Sequence, residues 1–217
     1  MSTSRLALLD VDGTLTPVRS VWQYLLERTD TWLGAGEENL SRYLEGAIGY
    51  EEFCQLDAAL LRGVPYDELV AVAAEIPVNR GSVELVSGLR ARGYEVALIS
   101  TGLRVLTSTL CDRLGIGISI VNDLEVDGGH CTGRALVDID ESEKGIHART
   151  LIERTGSSFT LAIGDGSGDL PMFREADLSI AVGDASPAVI AAADRYHPGF
   201  DLSGLLDVID EALEVHA

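Results

Sequence analysis

Leu8-Leu9-Asp10-Val11-Asp12-Gly13-Thr14-Leu15-Thr16 is the stretch that decides the fold of this 217-residue chain, because it ends an apolar run on two carboxylates and a glycine. The run at residues 6–9 is typical of a buried strand in a parallel sheet, and such sheets bind ligands at the carboxyl ends of their strands. Side chains two residues apart in an extended segment point to one side, so Asp10 and Asp12 raise each other's pKa unless a cation or a shared proton lies between them. Taken alone, the stretch also fits a solvated Asp-Gly turn after an edge strand.

The acidic composition limits the partners. Lys and Arg number 16 against 35 Asp and Glu, which gives a formal net charge of −19 at pH 7. Such a surface repels nucleic acid and anionic membranes, so we expect neither as a partner, and a phosphate site must supply its own positive potential. The sequence shows no signal segment and no apolar run of membrane-spanning length, which predicts a cytoplasmic protein.

Strand-like and helix-like segments alternate along most of the chain. Short apolar runs predict further strands at residues 96–99, 118–121, 161–163 and 178–182. Helical spacing of apolar residues predicts helices at residues 83–92, 105–114, 146–154, 189–193 and 202–215. This order predicts an α/β fold, a Rossmann-like, doubly wound and mostly parallel sheet with helices on both faces.

Two segments depart from that alternation. Residues 17–77 carry apolar residues at helical spacing, and the segment is longer than a crossover needs, which predicts a small helical cap inserted after the first strand. Residues 1–16 and 78–217 then form the core, and prolines in the stems favour a hinge, although a rigid helical decoration is the alternative. Asp127-Gly128-Gly129 is typical of a hairpin turn and predicts a small β-flap.

Two other strand ends carry groups suited to phosphate or metal. Ser100-Thr101-Gly102 follows the strand at 96–99, where hydroxyls and N–H groups can hold an anion, although ordinary helix capping explains it equally well. Asp165 and Asp169, in a glycine-rich loop after the strand at 161–163, are hard oxygen ligands that suit Mg²⁺. The loop lacks the spacing of a calcium-binding loop or a dinucleotide fingerprint, and a glycine-rich turn with solvated acids is its alternative.

Lys144 opens a predicted helix, where the helix dipole disfavours a cation. We therefore expect an anionic group to offset its charge. A surface ion pair with the neighbouring acids is the alternative.

Taken in order, these pieces resemble the haloacid dehalogenase-like hydrolase superfamily, and within it the phosphoserine phosphatase-like branch. The resemblance covers nearly the whole chain, including the helical insertion after the first motif. It rests on Asp10-Val11-Asp12-Gly13-Thr14, on Ser100 or Thr101, on Lys144, and on Gly164-Asp165 with Asp169.

The resemblance implies that Asp10 attacks phosphorus to form an aspartyl-phosphate, while Asp12 protonates the leaving oxygen and later activates water. It implies Mg²⁺ held by Asp10, the Asp12 main-chain carbonyl and Asp165, with Asp169 supporting the water shell of the metal. The expected partner is a small-molecule phosphomonoester, and the oligomeric state is left open.

The resemblance also implies a phosphate-binding set made of Ser100, Thr101, Lys144 and the N–H groups near Gly13 and Gly102. These groups would supply the positive potential that the acidic surface lacks.

Three positions depart from the pattern of phosphoserine phosphatases. Arg19 stands where that family has an acid near the substrate amine, and Asp57, counted back from Pro65, stands where a cap arginine meets the substrate carboxylate. Gly168 replaces an asparagine. We therefore expect a substrate other than phosphoserine, with an extra anionic group near Arg19. The alternatives are a phosphoserine phosphatase, a phosphotransferase or mutase using the same aspartyl-phosphate, and a non-catalytic module that binds a metal or a phosphorylated ligand.

Overall fold

One seven-stranded sheet organises the computed structural model, which describes residues 4–215. The first and last residues of the predicted core, 1–3 and 216–217, lie outside the described part. The strands are β1 (Arg5–Leu9), β2 (Tyr94–Leu103), β3 (Ile118–Asp127), β4 (His130–Leu136), β5 (Phe159–Gly164), β6 (Leu178–Gly183) and β7 (Arg195–Pro198). Their order is β4-β3-β2-β1-β5-β6-β7, and only β3 and β4 pair antiparallel. The predicted α/β fold with a mostly parallel sheet is confirmed.

Helices cover both faces of this sheet. One face packs against α5 (Ser82–Ala91), α6 (Arg104–Leu114) and α10 (Leu205–Val215). The other packs against α7 (Lys144–Thr155), α8 (Leu170–Phe173) and α9 (Pro187–Ala192). None of the helices within residues 4–215 is long and apolar enough to cross a membrane.

The central strand β1 explains why the apolar run at residues 6–9 has no polar alternation. Ala7 and Leu9 lie in the core on one face of the sheet, and Leu6 and Leu8 lie in the core on the other. A strand buried on both faces needs apolar residues at every position. Because β1 pairs with β2 on one side and β5 on the other, the carboxyl ends of all three strands lie side by side.

Four helices fill the segment between β1 and α5. They are α1 (Val21–Arg28), α2 (Glu37–Leu44), α3 (Tyr50–Leu60) and α4 (Tyr66–Ala73). Ser20 caps α1 by accepting a hydrogen bond from the Gln23 N–H at 3.3 Å. We call this helical segment, residues 17–77, the insert. Its division from the core at 16/17 and 77/78 stays a prediction.

The hairpin of β3 and β4 differs from the predicted small flap. Strand β3 first pairs in parallel with β2 and then continues into the antiparallel pair with β4, so the hairpin forms the edge of the main sheet. The insert bonds to this edge, because the Gly63 N–H donates to the Cys131 carbonyl at 2.8 Å and the Cys131 N–H donates to the Val64 carbonyl at 2.9 Å. Strand β7, at the other edge, was not predicted because it is short, partly exposed and lacks an apolar run.

Candidate active site

Three buried carboxylates meet at the carboxyl ends of β1 and β5. Asp10 follows β1, while Asp165 and Asp169 follow β5, and one oxygen of each lies within 4.8 Å of the others. The backbone sets this geometry: the Asp10 N–H donates to the Ile163 carbonyl at 2.9 Å, which ties the two strand ends together. Asp169 Oδ2 accepts from the N–H groups of Asp165 at 3.0 Å and Gly166 at 2.9 Å, which orients its other oxygen.

Lys144 supplies the positive charge inside this cluster. Its Nζ lies 2.5 Å from Asp10 Oδ1 and 2.7 Å from Asp169 Oδ1, and all three side chains are buried. The anionic groups expected near Lys144 are therefore present. The ion pair is buried, whereas the alternative was a surface ion pair. Removing one partner of a buried ion pair leaves the other charge uncompensated, so the three groups depend on each other.

The charges of the cluster do not balance. Burial, together with the charge of Asp169, raises the pKa of Asp10 well above its usual range and that of Asp165 to about 6. Burial opposes the charge on Lys144, but the carboxylates of Asp10 and Asp169 outweigh it and raise the pKa of Lys144. Three acids around one lysine leave a negative excess. Hard oxygen donors at this separation fit a divalent metal ion that would neutralise it.

Glycines make room for the carboxylates. A Cβ at Gly13 would lie 2.3 Å from Asp165 Oδ2, and its φ of +79° also favours glycine. A Cβ at Gly164 would lie 2.3 Å from the Asp169 carboxyl carbon. The Gly13 N–H donates to the Val18 carbonyl at 2.7 Å, so its role as a phosphoryl donor stays a prediction.

Asp12 is not part of the cluster that Asp10, Asp165 and Asp169 form. Its Oδ2 accepts a hydrogen bond from the N–H of Val21, the first residue of α1, at 2.8 Å. Its Oδ1 is buried and has no hydrogen-bond partner among residues 4–215. Burial raises the pKa of Asp12 to about 6, against the opposing effect of the Val21 N–H. Such a carboxyl is suited to give and take a proton near neutral pH.

The predicted anion site at the end of β2 lies beside Asp12. Ser100 is buried, and its Oγ accepts from the Gly102 N–H at 3.0 Å. A Cβ at Gly102 would lie 3.2 Å from Asp12 Oδ2. The Thr101 carbonyl accepts from the Tyr50 hydroxyl of the insert at 2.9 Å. The end of β2 therefore lies next to Asp12 and contacts the insert.

A cavity of about 310 Å³ lies between the core and the insert. The predicted core groups Asp10, Asp12, Ser100, Thr101, Gly102, Lys144, Asp165 and Asp169 all line it. Arg19 lines it as well, with its side chain 59% exposed and its guanidinium 3.8 Å from Asp165 and 3.6 Å from Asp184. A volume of this size suits a small ligand.

Thr14 is a site residue to which the sequence patterns assigned no role. Its hydroxyl lies 3.1 Å from Asp165 Oδ1 and 3.4 Å from Asp10 Oδ2. Asn79 Nδ2 donates to the Thr14 carbonyl at 2.8 Å and so joins the stem of the insert to the motif. The position of Thr14 within the first motif was the signal that could have identified it.

Asn122, in β3, is a second such residue, and it is fully buried. Its Nδ2 lies 3.0 Å from the carbonyls of Thr101 and Ile139 and 3.2 Å from the Tyr50 hydroxyl. Its Oδ1 accepts from the N–H groups of Asp138 at 2.9 Å and Ile139 at 3.0 Å. One side chain thus joins the end of β2, the segment that leads into α7, and the insert. No sequence pattern marked it, because these partners are distant along the chain.

Asp57, the acid that stands where the sequence analysis expected a cap arginine, lies on α3. It is 1% exposed, and its Oδ1 accepts from Asn39 Nδ2 at 2.9 Å. Its Oδ2 has no hydrogen-bond partner in the described part of the chain. Burial raises the pKa of Asp57 to about 6. Asp57 lines the same cavity as Asp10.

Comparison with known proteins places these features in a family. The sequence profile described as haloacid dehalogenase-like hydrolase matches residues 7–174. A phosphoserine phosphatase of Lactococcus lactis subsp. lactis is 30% identical over an alignment of 217 positions, which covers 97% of this chain and 98% of that protein. A phosphoserine phosphatase of Archaeoglobus fulgidus is 32% identical over 211 residues, which cover 94% of this chain but only 60% of that protein.

Two solved structures extend the similarity to the fold. One is described as a phospho-aspartyl intermediate analogue of phosphoserine phosphatase, with a TM-score of 0.83, 26% identity, and coverage of 95% of this chain and 99% of that one. The other, a substrate-bound phosphoserine phosphatase complex, has a TM-score of 0.83 and 25% identity, and covers 96% of this chain and 99% of that one.

Asn122→Ala is expected to lower the free energy of unfolding by at least about 3 kcal/mol, because each buried backbone group left without a partner costs about 1–3 kcal/mol. Urea unfolding followed by circular dichroism measures the change. Ser87→Ala, which removes an exposed hydroxyl bonded to the Glu84 carbonyl, is the control and should change stability by less than about 1 kcal/mol. Equal losses in the two variants would contradict the role of Asn122.

Asp57→Asn is expected to gain stability relative to the wild type as pH rises. Folding raises the pKa of Asp57 from 3.8 to about 6, so the folded state binds more protons and the wild type loses stability as pH rises through that interval. Asparagine does not titrate, so the advantage of the variant should grow by about 2 kcal/mol between pH 4.5 and 7.5. Urea unfolding at both pH values measures it. Glu51→Gln, an exposed change on the same helix, should show no such growth.

Proposed function

Because this chain belongs to the haloacid dehalogenase-like hydrolase family, we propose that it hydrolyses a small phosphomonoester through an aspartyl-phosphate on Asp10. The observation that carries the proposal is the position of Asp10. It is buried at a strand end, held by Lys144 at 2.5 Å, and faces a cavity that Asp12 also lines.

In the first step, a carboxylate oxygen of Asp10 attacks phosphorus, and the bond between phosphorus and the ester oxygen breaks. The carboxyl of Asp12 donates its proton to the leaving oxygen, so an alcohol departs. The bond from the Val21 N–H to Asp12 Oδ2 holds that side chain in the wall of the cavity.

In the second step, the carboxylate of Asp12 takes a proton from water, and the water oxygen attacks the phosphorus of the aspartyl-phosphate. The bond from phosphorus to the Asp10 oxygen then breaks, which releases inorganic phosphate and restores the carboxylate. The same group therefore acts first as acid and then as base.

The phosphoryl oxygens need positive charge that the acidic surface does not supply. We assign their binding to Ser100, Thr101, Lys144 and the N–H groups near Gly13 and Gly102, as the resemblance implies.

A divalent metal ion held by the buried acids would complete the neutralisation of charge. We assign Mg²⁺ to Asp10, Asp165 and the Asp12 main-chain carbonyl, with Asp169 as support. When bound, it offsets the repulsion between the Asp10 carboxylate and the phosphoryl group.

Phosphoserine is the first substrate to consider. The relatives are named phosphoserine phosphatases, which favours phosphoserine over the different substrate expected from Arg19 and Asp57. That expectation rested on the charges of Arg19 and Asp57, which stand opposite to the usual ones, and on Gly168 in place of an asparagine. Both charged groups line the cavity. A zwitterion carries one charge of each sign, so the reversed charges at Arg19 and Asp57 do not exclude a zwitterionic substrate such as phosphoserine. Arg19 would then contact the anionic group of that substrate. The cytoplasmic location and the absence of nucleic-acid and membrane partners stay predictions.

Asp10→Asn is expected to lower the rate of phosphate release by at least about a thousandfold, because an amide does not replace the carboxylate as nucleophile. Release of inorganic phosphate from phosphoserine and from p-nitrophenyl phosphate measures it. Asp112→Asn, which removes an exposed acid on α6, is the matched control and should retain wild-type rates. Asp10→Asn activity above a tenth of the wild type would show that another group attacks phosphorus. Wild-type protein that releases phosphate from neither ester would refute the proposal.

Removal of divalent cations with EDTA should abolish phosphate release, and added Mg²⁺ should restore it. Mg²⁺ should also raise the melting temperature, because it reduces the repulsion among the carboxylates of Asp10, Asp165 and Asp169. Differential scanning calorimetry measures this second effect without turnover, and Asp165→Asn should remove most of it. Full activity in EDTA would contradict the metal requirement.

A further inference from the structure

The insert places one unpaired acid in the wall of the cavity. Asp57 Oδ1 accepts from Asn39, but Oδ2 has no hydrogen-bond partner within residues 4–215, and the residue is nine-tenths buried or more. A buried carboxylate that lacks a partner destabilises the folded state. Its presence on the wall of a ligand cavity indicates that the partner comes from the ligand.

Within residues 4–215, no cationic side chain pairs with Asp57. Lys144 and Arg19, the basic residues that line the cavity, contact acids of the core at Asp10, Asp169, Asp165 and Asp184. In the insert, Arg28 pairs with Glu75 and Arg42 pairs with Glu52. Asp57 thus lacks an ion pair among the described residues.

The residues along α3 next to Asp57 suit a cation. Tyr50, Phe53 and Asp57 are spaced by three and four positions, so they share one face of the helix, and all three line the cavity. Phe53 stacks on Tyr43, another lining residue, with ring centroids 4.9 Å apart. Aromatic faces attract an ammonium group, whereas a second carboxylate or phosphate would be repelled by Asp57.

We propose that Asp57 determines substrate specificity by binding a protonated amine on the leaving group, so that the enzyme prefers phosphate esters of amino alcohols. The inference rests on the proposed function and deepens it. The ammonium donates a charge-assisted hydrogen bond to the Asp57 carboxylate, whose low exposure to water strengthens the attraction. An ester that also carries a carboxylate, such as phosphoserine, would place that group near Arg19.

The test compares esters that differ only in the amine. Phosphoserine is paired with 3-phosphooxypropanoate, which lacks the ammonium group, and phosphoethanolamine is paired with propyl phosphate. Wild-type kcat/KM should favour the amine in each pair by at least about thirtyfold, and Asp57→Asn should reduce that preference at least about tenfold. Glu51→Gln, an exposed charge change on the same helix, should leave the preference as in the wild type.

A binding measurement separates recognition from turnover. In the Asp10→Asn background, calorimetry should give a lower Kd for phosphoserine than for 3-phosphooxypropanoate, and Asp57→Asn in that background should remove most of the difference. An unchanged difference would overturn the proposal and leave Asp57 as a structural partner of Asn39.

The wild-type comparison requires no variant, so the proposal remains testable even if Asp57→Asn fails to fold. Phosphate release from the esters without preference for the amine would overturn this inference alone. Release from none of them, p-nitrophenyl phosphate included, would instead refute the proposed function.

Discussion

The buried ion pair of Lys144 with Asp10 and Asp169 is the interaction on which the site depends. It joins the first residue of α7 to the ends of β1 and β5, with Nζ–oxygen distances of 2.5 and 2.7 Å. Without the ammonium, three carboxylates would share one buried volume with no positive charge, which is unfavourable. With it, one carboxylate keeps a fixed orientation toward the cavity, as a nucleophile must.

The scaffold holds these charges by backbone geometry more than by side-chain packing. Glycines at 13 and 164 leave the space that the carboxylates fill, since a Cβ at either would lie 2.3 Å from one of them. Asn122 satisfies the backbone groups of two segments at once and places the start of the segment that reaches Lys144. A site built on strand ends and helix starts in this way is more rigid than one carried on long loops.

The insert gives the cavity a different character from the core. The core presents three acids around one lysine, whereas the insert presents aromatic rings and Asp57, whose Oδ2 has no partner among the described residues. An acid of this kind lowers stability at neutral pH, so its place on the cavity wall points to recognition rather than to folding. The relatives named phosphoserine phosphatases and the charges at Arg19 and Asp57 are compatible, because a zwitterionic substrate presents one partner to each.

The sequence by itself determined the alternation of strands and helices through most of the chain, β7 excepted, and which strand ends would meet. An apolar run at residues 6–9, acids after it, and further acids after β5 are local patterns, and a parallel sheet gathers its carboxyl ends at one edge. Only the tertiary structure decided which carboxylates face each other: Asp169 joins Asp10 and Asp165, while Asp12 turns toward the N–H of Val21. It also decided the contacts of Asn122 and Asp57. Side-chain direction depends on the turn after each strand and on contacts between segments far apart in the chain, which no local pattern encodes.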